Sequence, residues 1–133
     1  MQKFSLLFTS FAVLICLFIL HIAGSFLYLY WTLDWFDSLV HFIGGVSVGF
    51  FALWTFWDSG LWKKERPKQF SALITTVLVV IIVGAAWEIF EYVNGLTQST
   101  EGYKLDTIHD MIADTLGAIV AGAWGVKKIF YAR

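Results

Sequence analysis

The longest stretch without Asp, Glu, Lys or Arg extends from Phe4 to Leu33. A helix needs about 20 apolar residues to cross the hydrocarbon core of a bilayer, so this stretch can span a membrane with tilt to spare. The apolar part of a cleaved signal peptide is only about 7–15 residues long, and further apolar segments follow this one. We therefore predict that residues 4–33 form a retained first membrane span.

Three later segments are also apolar enough to be spans. The four predicted spans comprise residues 4–33, 38–57, 69–93 and 106–127. The last is the weakest prediction because its uncharged part, residues 115–126, is short, and a re-entrant hairpin is the alternative there. Only 14% of all residues are charged, against about 25% in a soluble protein. The sequence thus predicts one all-α integral membrane domain over residues 1–133, a bundle of about four transmembrane helices.

The basic residues are distributed unevenly along these spans. With four spans, eight Lys and Arg side chains fall on one side of the membrane, and Lys104 alone falls on the other. The eight are Lys3, Lys63, Lys64, Arg66, Lys68, Lys127, Lys128 and Arg133. Because cytoplasmic loops carry the excess of Lys and Arg, we predict a multi-pass protein of the inner (cell) membrane with both termini in the cytoplasm.

Acidic and histidine residues gather at the opposite ends of three predicted spans. They are Asp37, His41, Glu88, Glu91, Asp106, His109, Asp110 and Asp114. At 1.5 Å of rise per residue, all lie within about 12 Å of the outer boundary. A carboxylate inside a membrane costs about 2.5–3.5 kcal/mol even on lenient scales, so these side chains should turn inward. Spacings of three and four residues, as in Asp37 and His41, put members of each set on one helix face.

Six carboxylates and two histidines at one depth raise a problem of charge. Buried like charges cannot all remain ionised, so protons, a divalent metal ion, a substrate amine or a proton path must balance them. Mixed oxygen and nitrogen ligands suit Zn, Mn or Fe. The predicted metal ligands are His41, Glu88, His109, Asp110 and Asp114. The predicted substrate-binding residues are Asp37, Glu91 and Asp106. Glu88 and Asp110 are the predicted general acid–base pair of a membrane-embedded enzyme.

Other interpretations of the same residues remain open. Asp34, Asp37 and Asp106 could cap the amino ends of helices, and His41 could be an interhelical hydrogen-bond donor. The whole cluster could fix helix register in a scaffolding protein, or could belong to a proton- or cation-coupled transport component. The predicted partners are the lipid bilayer and a lipid head group or other small ligand. Nucleic acid is not expected, because no basic cluster is interleaved with aromatic residues in a soluble segment.

Three blocks of the sequence resemble a known family. Asp37-Ser-Leu-Val-His41-Phe-Ile-Gly-Gly, Trp87-Glu88-Ile-Phe-Glu91-Tyr and Asp106-Thr-Ile-His-Asp110-Met, which continues to Asp114 and Gly117-Ala, look like the blocks of YjdF-like bacterial inner-membrane proteins. The pattern is more loosely similar to VanZ-like proteins, which have Gln, Asn and Lys where this chain has Glu91, Asp114 and Ser38. The resemblance covers about residues 34–125. It implies a compact helical membrane fold with the acidic blocks inside, and no established activity.

Overall fold

The computed structural model of the chain describes residues 5–61, 68–96 and 102–131, and every regular element in these ranges is helical. The elements are α1 (Ser5–Phe26), α2 (Leu29–Thr32), α3 (Phe36–Leu53), a π-helical turn (Trp54–Asp58), α4 (Gln69–Asn94) and α5 (Tyr103–Tyr131). The predicted all-α class is confirmed. Five basic residues of the orientation argument lie outside the described residues: Lys3, Lys63, Lys64, Arg66 and Arg133.

The first predicted span contains a break near its end. Tyr28 adopts a φ of 56°, a left-handed conformation that interrupts the helix. The chain then turns back as α2, and the ring of Tyr30 packs edge-on against Phe36 with 4.9 Å between their centroids. Both rings cover Gly24, where any side chain would collide with them. Residues 29–32 therefore close over the end of α1 instead of lengthening it.

Three described helical segments are long and apolar enough to cross a membrane, namely Leu6–Phe26, Phe36–Asp58 and Gln69–Asn94. The fourth long helix, α5, is less apolar and is not among these three segments. It is nevertheless one continuous helix of 29 residues, about 43 Å long, and not a re-entrant hairpin. Its acidic side chains Asp106, Asp110 and Asp114 are buried inside the protein. That α5 crosses the membrane stays a prediction.

Long helices that follow one another in the sequence run antiparallel, as the main hydrophobic cluster shows, whereas α3 and α5 run parallel. Residues from the start of α1 and α4 meet residues from the end of α3 and α5 in this cluster, which consists of Leu6, Phe50, Leu53, Ala72, Ala121 and Val126. We call this end of the bundle, which also carries Lys68, Lys127 and Lys128, the basic end. The opposite end, which carries Asp37, Glu88 and Asp110, is the acidic end.

Helix α5 packs most extensively on α3 and also packs on α4, whereas the main partner of α1 is α3. The approach of α3 to α5 depends on glycine. A Cβ atom on Gly117 would strike the backbone of Phe42, and one on Gly45 would strike the backbone of Asp114. Small residues allow helix backbones to approach this closely in membrane bundles, where packing is the main source of helix association. The same close approach carries Asp110 and Asp114 towards α3.

Candidate functional site

The centre of the acidic end is the imidazole of His41, on α3. Its Nε2 atom lies 3.6 Å from Oδ2 of Asp110 and 4.0 Å from Oδ1 of Asp37. Asp37 stands one helical turn before His41, and Asp110 comes from α5. Ligand atoms of these three residues all lie within 4.8 Å of one another. The structure thus brings a nitrogen and two carboxylates to one point inside the bundle.

The other ring nitrogen of His41 faces a third carboxylate. Nδ1 lies 3.5 Å from Oδ2 of Asp114. Because a carboxylate only accepts hydrogen bonds, a hydrogen bond between these two atoms requires the proton to be on Nδ1. Asp114 itself is held in place by close contact with Gly84 of α4. The ring of His41 is therefore fixed in orientation, with Nε2 directed at Asp37 and Asp110.

Two carboxylate oxygens near His41 have no hydrogen-bond partner among the described residues. They are Oδ2 of Asp110 and Oε1 of Glu88, in side chains that are only 1% and 4% exposed. A buried polar atom without a partner costs about 1–3 kcal/mol, and more when the group is charged. Such atoms are uncommon in native structures and call for an explanation such as a bound ion. A cation or a hydrogen-bond donor bound beside them would satisfy both oxygens.

Two acidic residues of α4 complete the surroundings of His41. Glu88 and Glu91 each place a carboxylate oxygen within 4.8 Å of a ring nitrogen of His41. The second oxygen of Glu88, Oε2, accepts a 2.8 Å hydrogen bond from the hydroxyl of Thr107. We refer to His41, Asp37, Glu88, Glu91, Asp110 and Asp114 as the His41 cluster. Every described ion pair within this cluster involves His41. The imidazole of His41 is the one basic side chain in the cluster, beside five carboxylates.

A cavity of about 300 Å³ adjoins this cluster and lies between α1, α3 and α4. At one end it is lined by polar side chains that include Asp37, His41 and Glu91. At the other end its walls are apolar and include Leu14, Val48 and Val80. This volume is at the lower end of the range for ligand pockets, about 300–1,000 Å³. The cluster is therefore accessible to a small group that enters the cavity.

Tyr30 of α2 closes the polar end of the cavity. Its hydroxyl lies 2.7 Å from Nδ1 of His21, a hydrogen bond whose donor is set by the tautomer of the imidazole. Burial raises the pKa of Tyr30 above its ordinary value, and the charges of Asp37 and Glu91 act in the same direction. The phenol consequently keeps its proton at neutral pH. His21 is hydrogen-bonded, as expected of a structural histidine within a span, and it also lines the cavity.

Comparison with known proteins adds one finding. Residues 2–129 match the profile of a family described as "Predicted membrane protein (DUF2238)". The chain belongs to the DUF2238 family. Among curated proteins and among solved structures, nothing matches this chain. Membership in DUF2238 agrees with the apolar helices of the bundle and establishes a membrane protein.

Most of the site residues predicted from the sequence meet in this DUF2238 chain. His41, Glu88, Asp110 and Asp114 converge, and Asp37 and Glu91 join them. His109 is different, because its side chain is exposed and belongs to neither group of ligand atoms found among the described residues. On α5 it stands directly before the buried Asp110. Because successive residues of a helix point about 100° apart, the side chains of His109 and Asp110 leave the helix in different directions.

The predicted capping roles are not found. Trp35 occupies the N-cap position of α3 and makes no side-chain capping bond. Asp37 lies within the first turn, directed to His41, and Asp34 is exposed. Asp106 lies within the first turn of α5, where it is buried but outside both groups of ligand atoms. The acidic side chains of α3 and α5 therefore lie in the interior of the bundle and do not cap the helix ends.

Sequence reasoning missed Thr107 and Tyr30 as members of the site. Thr107 stands three residues before Asp110, a spacing that places it on the same helix face, so this signal was present. Tyr30 gave no such signal, because its position depends on the left-handed residue Tyr28.

Proposed function

We propose that this DUF2238 protein binds a divalent transition-metal ion inside the membrane, held by Nε2 of His41 and by carboxylate oxygens of Asp37 and Asp110. The observation that carries the proposal is the unpartnered Oδ2 atom of Asp110, which is fully buried and directed at Nε2 of His41. A metal ion would supply the missing partner and would neutralise the two carboxylates. No Lys or Arg of the described residues does so.

The spacing of the three groups supports this assignment. With metal–ligand bonds of about 2.0–2.1 Å, the ligand atoms of a tetrahedral site lie about 3.4 Å apart. The distances from Nε2 of His41 to Asp110 and Asp37 are 3.6 and 4.0 Å, so each of these two distances would contract by a few tenths of an ångström on metal binding. Nitrogen with oxygen ligands suits Zn, Mn or Fe. Three protein ligands leave a coordination position for an external group, as in catalytic zinc sites.

Asp114 supports the same proposal from the other side of the ring. A metal-bound histidine almost always donates its second ring N–H to a carboxylate or a carbonyl, and this contact orients the ring. Asp114 stands 3.5 Å from Nδ1 of His41 in that position. The predicted ligand Asp114 is thereby reassigned to an orienting role, in which its loss weakens binding without abolishing it.

The cavity beside His41 gives the proposed ion access to a second ligand, and we propose that this ligand is the head group of a membrane lipid. Asp37 and His41 both line the cavity, so an oxygen atom of a head group placed there would approach the open coordination position. Oε1 of Glu88 is the unpartnered carboxylate oxygen that the proposed ion does not use. The predicted role of Glu88, with Asp110, as a general acid–base pair stays a prediction, and so does the resemblance of the three acidic blocks to YjdF-like and VanZ-like proteins.

A through-membrane transport path has less support. The buried polar side chains between the His41 cluster and the basic end include Ser10, Ser47 and Thr76, and each donates its hydroxyl to a backbone carbonyl oxygen. Apolar residues of the main hydrophobic cluster fill the described interior beyond them. A proton or cation would find no chain of exchangeable groups there.

Metal content is the direct test. The full chain, purified in detergent without chelator and reloaded with Zn, Mn or Fe, should retain about one ion per chain. His41→Ala and Asp110→Asn should lose it, whereas Asp114→Asn should bind about 10–100-fold more weakly. Elemental analysis after desalting measures all four proteins.

Two matched controls make this result specific. His109→Ala removes an exposed histidine next to Asp110, and Asp34→Asn removes an exposed carboxylate near Asp37. Both variants should keep the metal. Retention of the ion by His41→Ala, or absence of a stoichiometric ion from the reloaded parent, would exclude the metal site and favour a scaffolding role for the cluster.

We also propose that the acidic end faces the outside of the inner membrane, with both chain termini in the cytoplasm. The concentration of Lys68, Lys127 and Lys128 at the opposite end supports this orientation. Reporter fusions to each terminus test it, because a reporter active only outside the cell should be silent at both. Activity at one terminus alone would mean that α5 does not cross the membrane.

A further inference from the structure

The cavity beside His41 is a groove with two exposed rims. Leu14 and Phe18 of α1 form one rim, and Val83 and Trp87 of α4 form the other. All four side chains are among the exposed apolar residues of the chain, and Phe18 is 62% exposed. Both rims belong to helices that qualify as membrane spans, so the surface that they border is lipid. The groove is therefore open sideways, towards the bilayer.

The opening exists because α1 and α4 do not pack against each other as a helix pair, although both pack on α3. Residues of α3 form the floor, at positions 40, 44 and 48, one turn apart on a single face. At position 44 a glycine deepens the groove. A Cβ atom there would meet only the side chain of Leu17, at 3.9 Å, so there is free space above it.

The polarity of the groove changes along its length in the same direction as that of a lipid. Its apolar part, from Leu14 and Val48, lies towards the middle of the bundle, and its polar part, with Asp37 and Glu91, lies at the acidic end. A lipid in the adjacent leaflet has its hydrocarbon chain and its head group at these same two levels. One chain of such a lipid can enter between α1 and α4 without turning.

The polar part of the groove favours a positively charged head. Three carboxylates line it, from Asp37, Glu91 and Asp114, and only His41 and His21 among its lining residues can carry a positive charge. Trp87 and Tyr30 also line it, and aromatic rings attract ammonium groups through the electrons of their π systems. Carboxylates with aromatic rings around a small space are the chemistry that recognises an ammonium group.

We propose that this groove binds a membrane lipid with an ammonium head group, whose chain lies between α1 and α4 and whose nitrogen contacts Glu91 and Trp87. The inference rests on the proposed function for the presence of a lipid head group at this end of the cavity, but it does not require the metal ion. Glu91 is free to serve the head group because the proposed ion uses Asp37, His41 and Asp110.

The test uses three photoreactive probes with the same twelve-carbon chain, which carry an ammonium, an alcohol or a phosphate head. Each is added to the full chain in nanodiscs after chelator treatment, so that failure of the metal site cannot affect the outcome. A short-chain ammonium salt is the competitor that distinguishes a lipid from a soluble amine. The ammonium probe should label α1 and α4 most strongly, and the short-chain salt should compete poorly.

Two variants locate the probe. Glu91→Gln should weaken the ammonium probe about tenfold and leave the alcohol probe unchanged, because it removes one charged contact. Gly44→Leu fills the groove and should reduce labelling by the ammonium and alcohol probes alike. Ala86→Leu places a leucine at an exposed position of α4 outside the groove and should change neither. Thermal unfolding of each variant confirms that it is folded.

Equal labelling by the three probes, or labelling that Gly44→Leu leaves intact, would overturn the proposal. Preference for the phosphate probe would overturn the assignment of an ammonium head. Effective competition by the short-chain salt would show that the ligand is a soluble amine and would overturn the assignment of a lipid. Metal binding measured on the same variants should be unchanged in Gly44→Leu, so the two proposals can fail separately.

Discussion

At the basic end of the bundle, the side chains of Leu6, Leu53 and Ala72 fill the interior, and one buried polar atom, Nε1 of Trp54, has no hydrogen-bond partner among the described residues. At the acidic end, the same helices enclose Asp110, Glu88 and His41, and two of the buried carboxylate oxygens have no partner among the described residues. Packing accounts for the first arrangement, since it is the main source of helix association in lipid. The second arrangement costs free energy in the absence of a ligand, so the fold must be maintained by the first.

The largest loss of stability should come from the contact between α3 and α5, which lies between the two ends. Gly117 lies where α5 meets α3, between the His41 cluster and the main hydrophobic cluster, and a larger side chain would collide with backbone atoms of α3. Gly117→Leu should cost more than the about 1–3 kcal/mol typical of overpacking, because a backbone cannot rotate away.

Denaturant-induced unfolding in detergent micelles measures this loss. Ala123→Leu, which places a leucine at an exposed position of α5, should have little effect. If the two variants unfold alike, α3 and α5 are not in close contact at Gly117, and the two ends are not joined as described.

Metal addition should raise the free energy of unfolding through the ligands at the acidic end. An ion at a hundredfold excess over its Kd raises the free energy of unfolding by about 2.7 kcal/mol. Asp110→Asn should abolish this gain because it removes a ligand, whereas Asp34→Asn should keep it. The measurement is the unfolding midpoint with metal and with chelator. A gain that survives in Asp110→Asn would place the ion elsewhere.

A cavity at the basic end should lower stability and leave the site intact. Leu53 is completely buried, and Leu→Ala substitutions in protein cores cost about 2–5 kcal/mol. We expect about 2 kcal/mol, the lower end of that range, since lipid is as apolar as the core and only the loss of packing remains. Folded Leu53→Ala should still bind metal with the affinity of the parent.

The matched control for this substitution is Leu78→Ala, which truncates an exposed leucine of α4 and should be close to neutral. A loss of metal binding in folded Leu53→Ala would show that the two ends are coupled, contrary to the comparison above.

The smallest loss of stability should come from the polar contact between α1 and α3. Ser10 and Ser47 each donate a hydroxyl hydrogen bond to the carbonyl oxygen of the other, at 2.9 and 3.0 Å. Interhelical hydrogen bonds in membranes are worth about 0.6 kcal/mol on average, so Ser47→Ala should cost about that much. A double-mutant cycle with Ser10→Ala gives the coupling energy of the pair. A cost above about 2 kcal/mol would exceed the usual range for such bonds and would indicate that α1 depends mainly on this pair.

The sequence predicted the class of fold and the gathering of the acidic residues at one end of the bundle, because lipid imposes both. Uncharged segments of spanning length must be helices, and carboxylates in them must face inward. The spacing of Asp37 and His41 predicted a shared face, and the structure places them 4.0 Å apart. Depth alone, however, does not fix direction around a helix axis, which is why His109 was predicted as a ligand together with its neighbour Asp110.

The cavity could not be predicted for a related reason. It depends on the space between α1 and α4, two helices that are not adjacent in sequence and that approach each other only through α3. Residues such as Val83 and Phe18 look like any lipid-facing positions in the sequence, since the same side chains suit a bilayer and a groove. The break at Tyr28, which brings Tyr30 over the polar end, gave no signal either.

The attachment of α1 through α3 has a consequence for biosynthesis. Chains emerge from the ribosome with the N-terminal end first, so α1 is made before the helix that holds it. Until α3 follows, α1 remains an unaccompanied segment whose hydroxyl of Ser10 has no cross-helix carbonyl to bond. Helices α1 and α3 can therefore pair while the chain is still being made, before α5 is available to pack on α3 and α4.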